Sequence, residues 1–276
     1  MSDEYLSEHT QLGKTTENIY TYTPSLLCPI PRAMARKELG FEAETLPFNG
    51  SDIWTGYEIS WLAESGKPEI AIAEFRIPAM SPNIIESKSF KMYLNSFNLS
   101  KFEGWGVVEE LMTKDISAAA GAPVQVTLLT PQQMLRAGIE SPKGTCIDAH
   151  DITLEAYLPE ASLLQVSEQQ VREDVYSDLF RSNCPVTGQP DWATIAISYS
   201  GNQIDHASLL RYLVSFRDQA EFHEQCAERI FRDISEQCAP QELTVFARFL
   251  RRGGLDINPW RSNVREAPRF QRLSRQ

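Results

Sequence analysis

The segment RSNCPVTGQPDW carries Cys184 followed by a proline, with Arg181 three residues before it and Asp191 seven residues after it. A cysteine attacks as its thiolate, and a partly accessible thiol near a cation is the surrounding that favours that form. The other cysteines, Cys28, Cys146, Cys226 and Cys238, fit better as buried small apolar residues. Asp191 follows a G-x-P turn, where an acid can serve the backbone or deliver a proton. Phe222, His223 and Glu224 stand together at the head of a helical pattern and offer a ring, a base and a carboxylate. Lys88 and Lys91 lie three apart on the face of another helix that its apolar residues leave open. They read either as a solvated basic face or as a grip on an anion.

These residues sit in two similar halves, offset by about 119 positions. Tyr93-Leu94-Asn95-Ser96-Phe97 returns as Tyr212-Leu213-Val214-Ser215-Phe216, and Asp115-Ile116 returns as Asp233-Ile234. Tyr57 and Trp61 fall opposite Tyr176 and Phe180, and the turn Gly66-Lys67-Pro68-Glu69 matches Gly188-Gln189-Pro190-Asp191. Each half reads strand, turn, strand, helix, helix, strand. Alternation predicts strands over 52–62, 69–77 and 123–130 in the first half, and over 172–182, 191–200 and 241–250 in the second. Helices are expected over 88–98, 106–120, 206–217 and 222–237. Phe90, Tyr93, Leu94 and Phe97 form an i, i+3, i+4, i+7 stripe, repeated by Leu209, Tyr212, Leu213 and Phe216. Two helices on one face of an antiparallel sheet make an α+β layer. The expected organisation is an arm over 1–50, a first module over 51–130, a connection over 131–170 and a second module over 171–276.

A repeat supplies its own control, because a residue found in only one copy needs a reason beyond the fold. Lys88 and Lys91 face Ala207 and Leu210 in the other copy, and the first-half turn AESGKPE has no cysteine. The His223 region is matched by Gly104, Trp105 and Gly106. Asp191 is less distinct, since Glu69 holds the matching place.

The 276 residues suit two domains, and 42% hydrophobic content is ample for a core without metal or disulfide. Five scattered cysteines without a C-x-x-C pair fit a reducing compartment. No secretory signal is read at the start and no run approaches membrane-spanning length. A net charge of −11 disfavours a phosphate-backbone binder. Rossmann, Walker, HExxH and clustered Cys/His patterns are absent from the sequence, so a nicotinamide cofactor would be held without the usual fingerprint.

Glu86-Ser87-Lys88-Ser89-Phe90-Lys91-Met92-Tyr93 resembles the E-[SL]-K-[SA]-x-K signature of the 7-cyano-7-deazaguanine reductases, and CPVTGQPD at Cys184–Asp191 resembles their cysteine motif. FHE at Phe222–Glu224, FLRRGG at Phe249–Gly254 and the amino-terminal LGKTTENIYTYTPSLLCPIPR are similar to further family segments. The resemblance spans most of the chain in the long, bimodular layout. It implies two tandem tunnelling-fold ββααββ modules and reduction of a nitrile to a primary amine, in the making of queuosine for transfer RNA. The resemblance casts Cys184 as the nucleophile forming a covalent thioimidate, Asp191 as proton donor and His223 as proton shuttle. It assigns Ile85, Glu86, Ser87, Phe222, His223 and Glu224 to the 7-deazaguanine substrate. Ser87, Lys88, Arg252 and Gly253 are assigned to two successive NADPH, and no metal is implied. It further implies a cytoplasmic homodimer that acts on the free base, with no direct nucleic-acid or membrane partner. Two alternatives stand beside it: a purine- or pterin-binding module of the same fold without catalysis, and a cyclohydrolase-type enzyme, which missing zinc-ligand spacing disfavours.

Overall fold

The computed structural model describes residues 19–42, 45–155, 157–264 and 266–276. His9 and the first part of the amino-terminal family segment lie outside them. The chain forms two compact units, interleaved along the sequence. The first takes the described residues within Met1–Glu38, Ser51–Gly138 and Arg251–Asp256; the second takes those within Leu39–Gly50, Ile139–Leu250 and Ile257–Gln276.

In the first unit β1 (Pro29–Pro31) and α1 (Arg32–Glu38) precede a long hairpin of β2 (Asn49–Leu62) and β3 (Pro68–Pro78). Then follow β4 (Asn83–Ile85), α2 (Ser87–Asn95), α3 (Trp105–Ala120), β5 (Gln125–Leu129) and α4 (Pro131–Ala137). The antiparallel order is β5-β3-β2, and β1 pairs with β4 as a small separate sheet. The second unit holds β6 (Thr145–Cys146), β7 (Val166–Asn183), β8 (Pro190–Ile204), α5 (His206–Val214), α6 (His223–Cys238), β9 (Glu242–Phe249) and β10 (Leu255–Ser262). Its strands run β10-β9-β8-β7 antiparallel, with the two-residue β6 added in parallel. Both units are α+β, as the repeat and the family resemblance implied.

The apolar stripes do what their spacing requires. Phe90, Tyr93 and Phe97 of the first unit and Leu209, Tyr212 and Phe216 of the second are each fully buried. The repeated tyrosine and aspartate have one shared job. Tyr93 donates to Asp115 Oδ2 at 2.9 Å, and Tyr212 donates to Asp233 Oδ2 at 2.7 Å, tying the first helix of each unit to the second. Each first helix is also capped by an acid at the same place. Glu86 accepts from the Lys88 and Ser89 N–H groups, and Asp205 from Ser208 N–H.

Several elements differ from the sequence expectation. The first helices stop at Asn95 and Val214, three residues short, because a tighter turn begins at Ser96 and at Ser215. The stretch expected as a connection contains α4, announced by a capping box in which Thr130 and Gln133 exchange hydrogen bonds, with Pro131 at the first helical position. The arm contains β1 and α1. The pairing of Trp61 with Phe180 is corrected by strand register. Trp61 lies opposite Glu69, whereas Ser182 lies opposite Asp191, so Trp61 corresponds to Ser182. Bulges between Gly56 and Ile59 and between Ser177 and Phe180 make the offset drift along the hairpins.

Candidate active site

Cys184 follows immediately on the last residue of β7 and opens the loop to β8. Its N–H donates to Gln189 O at 2.8 Å and its carbonyl accepts from Gly188 N–H at 3.0 Å, closing the loop on itself. Gly188 has φ +64°, a conformation that costs glycine nothing. The thiol is buried at 5% exposure, and Asp191 on the facing strand is 6% exposed. Strand alternation turns Ser182 and Asp191 to the same face, against α6.

His223 is the first residue of α6, and its Nε2 lies 3.8 Å from Asp191 Oδ1. The edge of the imidazole packs on Phe249, with ring centroids 4.1 Å apart. Phe222 is the N-cap, and Glu224 is a buried carboxylate in the first turn, where the helix dipole favours negative charge. Cysteine, aspartate and histidine of the motif are therefore assembled in one unit at one hairpin end. Arg181 is not part of that cluster. It donates to Asn183 Oδ1 at 2.9 Å and lies over the Trp192 ring at 5.7 Å, in register with Trp192 rather than with Asp191.

Asn183 escaped the sequence reading and holds this arrangement. Its N–H donates to Gln219 O at 2.8 Å, its carbonyl accepts from Glu221 N–H at 3.2 Å, and its Nδ2 donates to Arg217 O at 3.1 Å. The strand residue before the nucleophile is thereby stitched to the segment that leads into Phe222 and His223. In the first unit Leu62 makes the same two backbone bonds, to Ser100 O and from Phe102 N–H, both at 2.9 Å. The backbone stitch belongs to the fold; the amide occurs only in the copy that carries the cysteine.

The remaining family positions lie in the first unit. Ile85 and Glu86 are buried, and Ser87 opens α2. Burial pushes the Glu86 carboxyl above its ordinary range, against the opposing pull of the Lys88 and Ser89 N–H groups it caps. A cleft of about 290 Å³ is lined by Lys88, Lys91, Asn95, Glu58, Gly253 and Gly254. Gly253 and Gly254 have φ +62° and +71°, and a Cβ on Gly254 would lie 2.5 Å from Glu58 Cδ. Two glycines beside two lysines give an open backbone next to cations, a donor set that fits a phosphate-bearing cofactor. Lys91 joins Lys88 there, although its repeat partner Leu210 is buried. Among the described residues no group of three or more His, Cys, Asp or Glu side chains is placed to hold a metal ion, and no helix is long and apolar enough to cross a membrane.

Of the other cysteines, Cys226 and Cys238 are buried, but Cys146 is exposed and Cys28 half-buried, contrary to the expectation that all four are core residues. Burial pushes the Cys226 thiol well above its usual value and the Cys238 thiol up to about 11.

A repeated α+β module with a buried thiol, carboxylate and imidazole at one hairpin end has the make-up of a thiol-dependent enzyme. A family model described as the N-terminal part of nitrile reductase, 7-cyano-7-deazaguanine reductase, matches residues 19–128, and one described as QueF-like protein matches residues 190–268. The NADPH-dependent 7-cyano-7-deazaguanine reductase of Burkholderia vietnamiensis is 52% identical over 272 residues, 98% of this chain and 99% of that protein. The crystal structure of the archaeosine synthase QueF-Like in its apo form covers 37% of this chain and 99% of its own, at 17% identity and a TM-score of 0.31. The chain belongs to the 7-cyano-7-deazaguanine reductase family.

Proposed function

We propose that this chain reduces the nitrile of 7-cyano-7-deazaguanine to the aminomethyl group, through a covalent thioimidate on Cys184. The observation that carries this reading is a buried Cys184 at the turn of the hairpin whose returning strand carries a buried Asp191, with His223 3.8 Å from that carboxylate. A nitrile carbon resists reduction until its nitrogen is protonated or its carbon is rehybridised. Attack by Cys184 as its thiolate, the thiol proton having passed to His223, forms the S–C bond and moves one C–N π pair onto nitrogen, which takes a proton from Asp191. His223 restores that proton to Asp191 and serves the later protonations at nitrogen. Burial around Cys184 excludes water, which would otherwise hydrolyse the thioimidate.

Phe222 offers its ring to the heterocycle, and Glu224 or Glu86 accepts from its parallel N–H donors. Glu86 caps α2 with both oxygens. His223 completes the substrate contacts of the second unit, and Ile85 and Ser87 stand beside Glu86 in the first. Lys88, Lys91, Ser87, Arg252 and Gly253 hold NADPH by its phosphates. When bound, NADPH supplies the two hydrides that a four-electron reduction requires. The reading further makes the protein a cytoplasmic homodimer acting on the free base, with no nucleic-acid or membrane partner. It also keeps the domain plan of an arm, two modules and a connection. Following NADPH absorbance with and without 7-cyano-7-deazaguanine tests it: two NADPH consumed per amine formed are expected, and no substrate-dependent oxidation would refute it.

A further inference from the structure

Ser182 stands directly opposite Asp191 across the β7–β8 hairpin, two residues before Cys184 and on the face that meets α6. Side chains in such a pair are separated by about 5 Å at Cβ. Ser182 is 1% exposed. Its Oγ meets the Cys226 thiol, a weak hydrogen-bonding group, and among the described residues no nitrogen or oxygen is placed to bond it. A thiol is a weak partner, so a buried hydroxyl beside one recovers little of its lost hydration and stays available to a stronger acceptor.

The first unit dispenses with this hydroxyl. The residue in the Ser182 place is Trp61, whose ring packs on Trp105 with centroids 5.2 Å apart. Trp105 opens α3 as His223 opens α6, and the buried positions of the two helices coincide on that alignment: Val108 with Cys226, Met112 with Ile230, Ile116 with Ile234. Two indoles thus fill in one copy what a serine and a histidine occupy in the other. The fold accepts a large apolar residue at this register position, so neither the size nor the hydroxyl of Ser182 is there for the fold.

Resting on the reading of Cys184 as the nucleophile, we infer that Ser182 is a catalytic residue whose hydroxyl donates a hydrogen bond to the nitrile nitrogen. As the Cys184 sulfur bonds to carbon, the displaced π pair gathers on nitrogen, and a fixed donor there stabilises the developing charge. The hydroxyl keeps its proton; the proton added to nitrogen comes from Asp191.

Ser182→Ala separates this role from a structural one, since it removes only the oxygen. Adduct formation on mixing with 7-cyano-7-deazaguanine without NADPH is timed by mass spectrometry, and stability is followed by urea denaturation. The expected result is adduct formation slower by about tenfold or more, with an unchanged or higher denaturation midpoint. Ser182→Thr, which keeps the hydroxyl, recovers part of the rate. Wild-type rate in Ser182→Ala overturns the inference and leaves the Cys184 reading intact, and so does a slower rate that comes with a lower midpoint. Wild-type protein that forms no adduct overturns both.

Discussion

At the scale of single residues, the repeat and the hairpin register together separate two acids that the sequence makes look alike. Glu69 and Asp191 follow the same turn, but the Glu69 side chain is 33% exposed and pairs with Lys67, whereas that of Asp191 is 5% exposed beside His223. An acid needed only for a turn has no cause to be buried at the cost of its hydration. Asp191→Asn keeps a hydrogen-bonding side chain of the same shape but cannot deliver a proton. It should lower turnover by about a hundredfold or more with stability near that of wild type, while Glu69→Gln leaves the rate alone. Steady-state NADPH oxidation and urea denaturation of both variants decide; equal rates would make Asp191 a turn residue. Cys184, Asp191 and His223 were legible because family motifs surround them. Ser182 and Asn183 were not, because only strand pairing shows what each faces.

At the scale of elements, the legible parts were those with strong periodicity and a second copy to check against. The two helical stripes and the paired tyrosines and aspartates are of this kind. Short elements such as β1, β4 and β6, of two or three residues, carry too little pattern to be read at all. The stitch between the end of β7 and the approach to α6 belongs to neither group, since it joins residues 34 to 38 apart through the side-chain amide, N–H and carbonyl of one residue. Asn183→Leu copies the residue of the first unit, so the backbone bonds and the stability should survive. The loss of the Arg217 and Arg181 links should loosen Cys184 relative to His223 and slow adduct formation on the order of tenfold to a hundredfold. A normal rate would mean that the backbone stitch suffices. On α2, Lys88→Ala should raise the NADPH dissociation constant by about tenfold, the scale of one charge-assisted hydrogen bond, without shifting the denaturation midpoint. Fluorescence titration measures the first, and an unchanged affinity with a lower midpoint would return Lys88 to the solvated surface.

At the scale of the whole molecule, the distribution of thiols decides which cysteine reacts. Cys238 is held up to about 11 by burial, while an unfolded thiol ionises nearer its ordinary value of 9. A raised folded value means that the unfolded chain loses its proton first, so stability falls as pH rises through the window from 9 to about 11. Urea midpoints measured across that window should decline, and Cys238→Ala should remove part of the slope; an identical slope would contradict the assignment to Cys238. At neutral pH the same burial keeps Cys226 and Cys238 protonated and inert, whereas Cys146 is exposed but stands outside the cluster of acid and imidazole. Selectivity for one buried thiol over an exposed one is therefore the claim on which the functional account rests. Peptide mapping by mass spectrometry after mixing the protein with 7-cyano-7-deazaguanine, in the absence of NADPH, tests it most directly. One adduct per chain is expected, on the peptide carrying Cys184 and absent from Cys184→Ala; an adduct on Cys146 or any other cysteine, or none at all, would rule out Cys184 as the nucleophile.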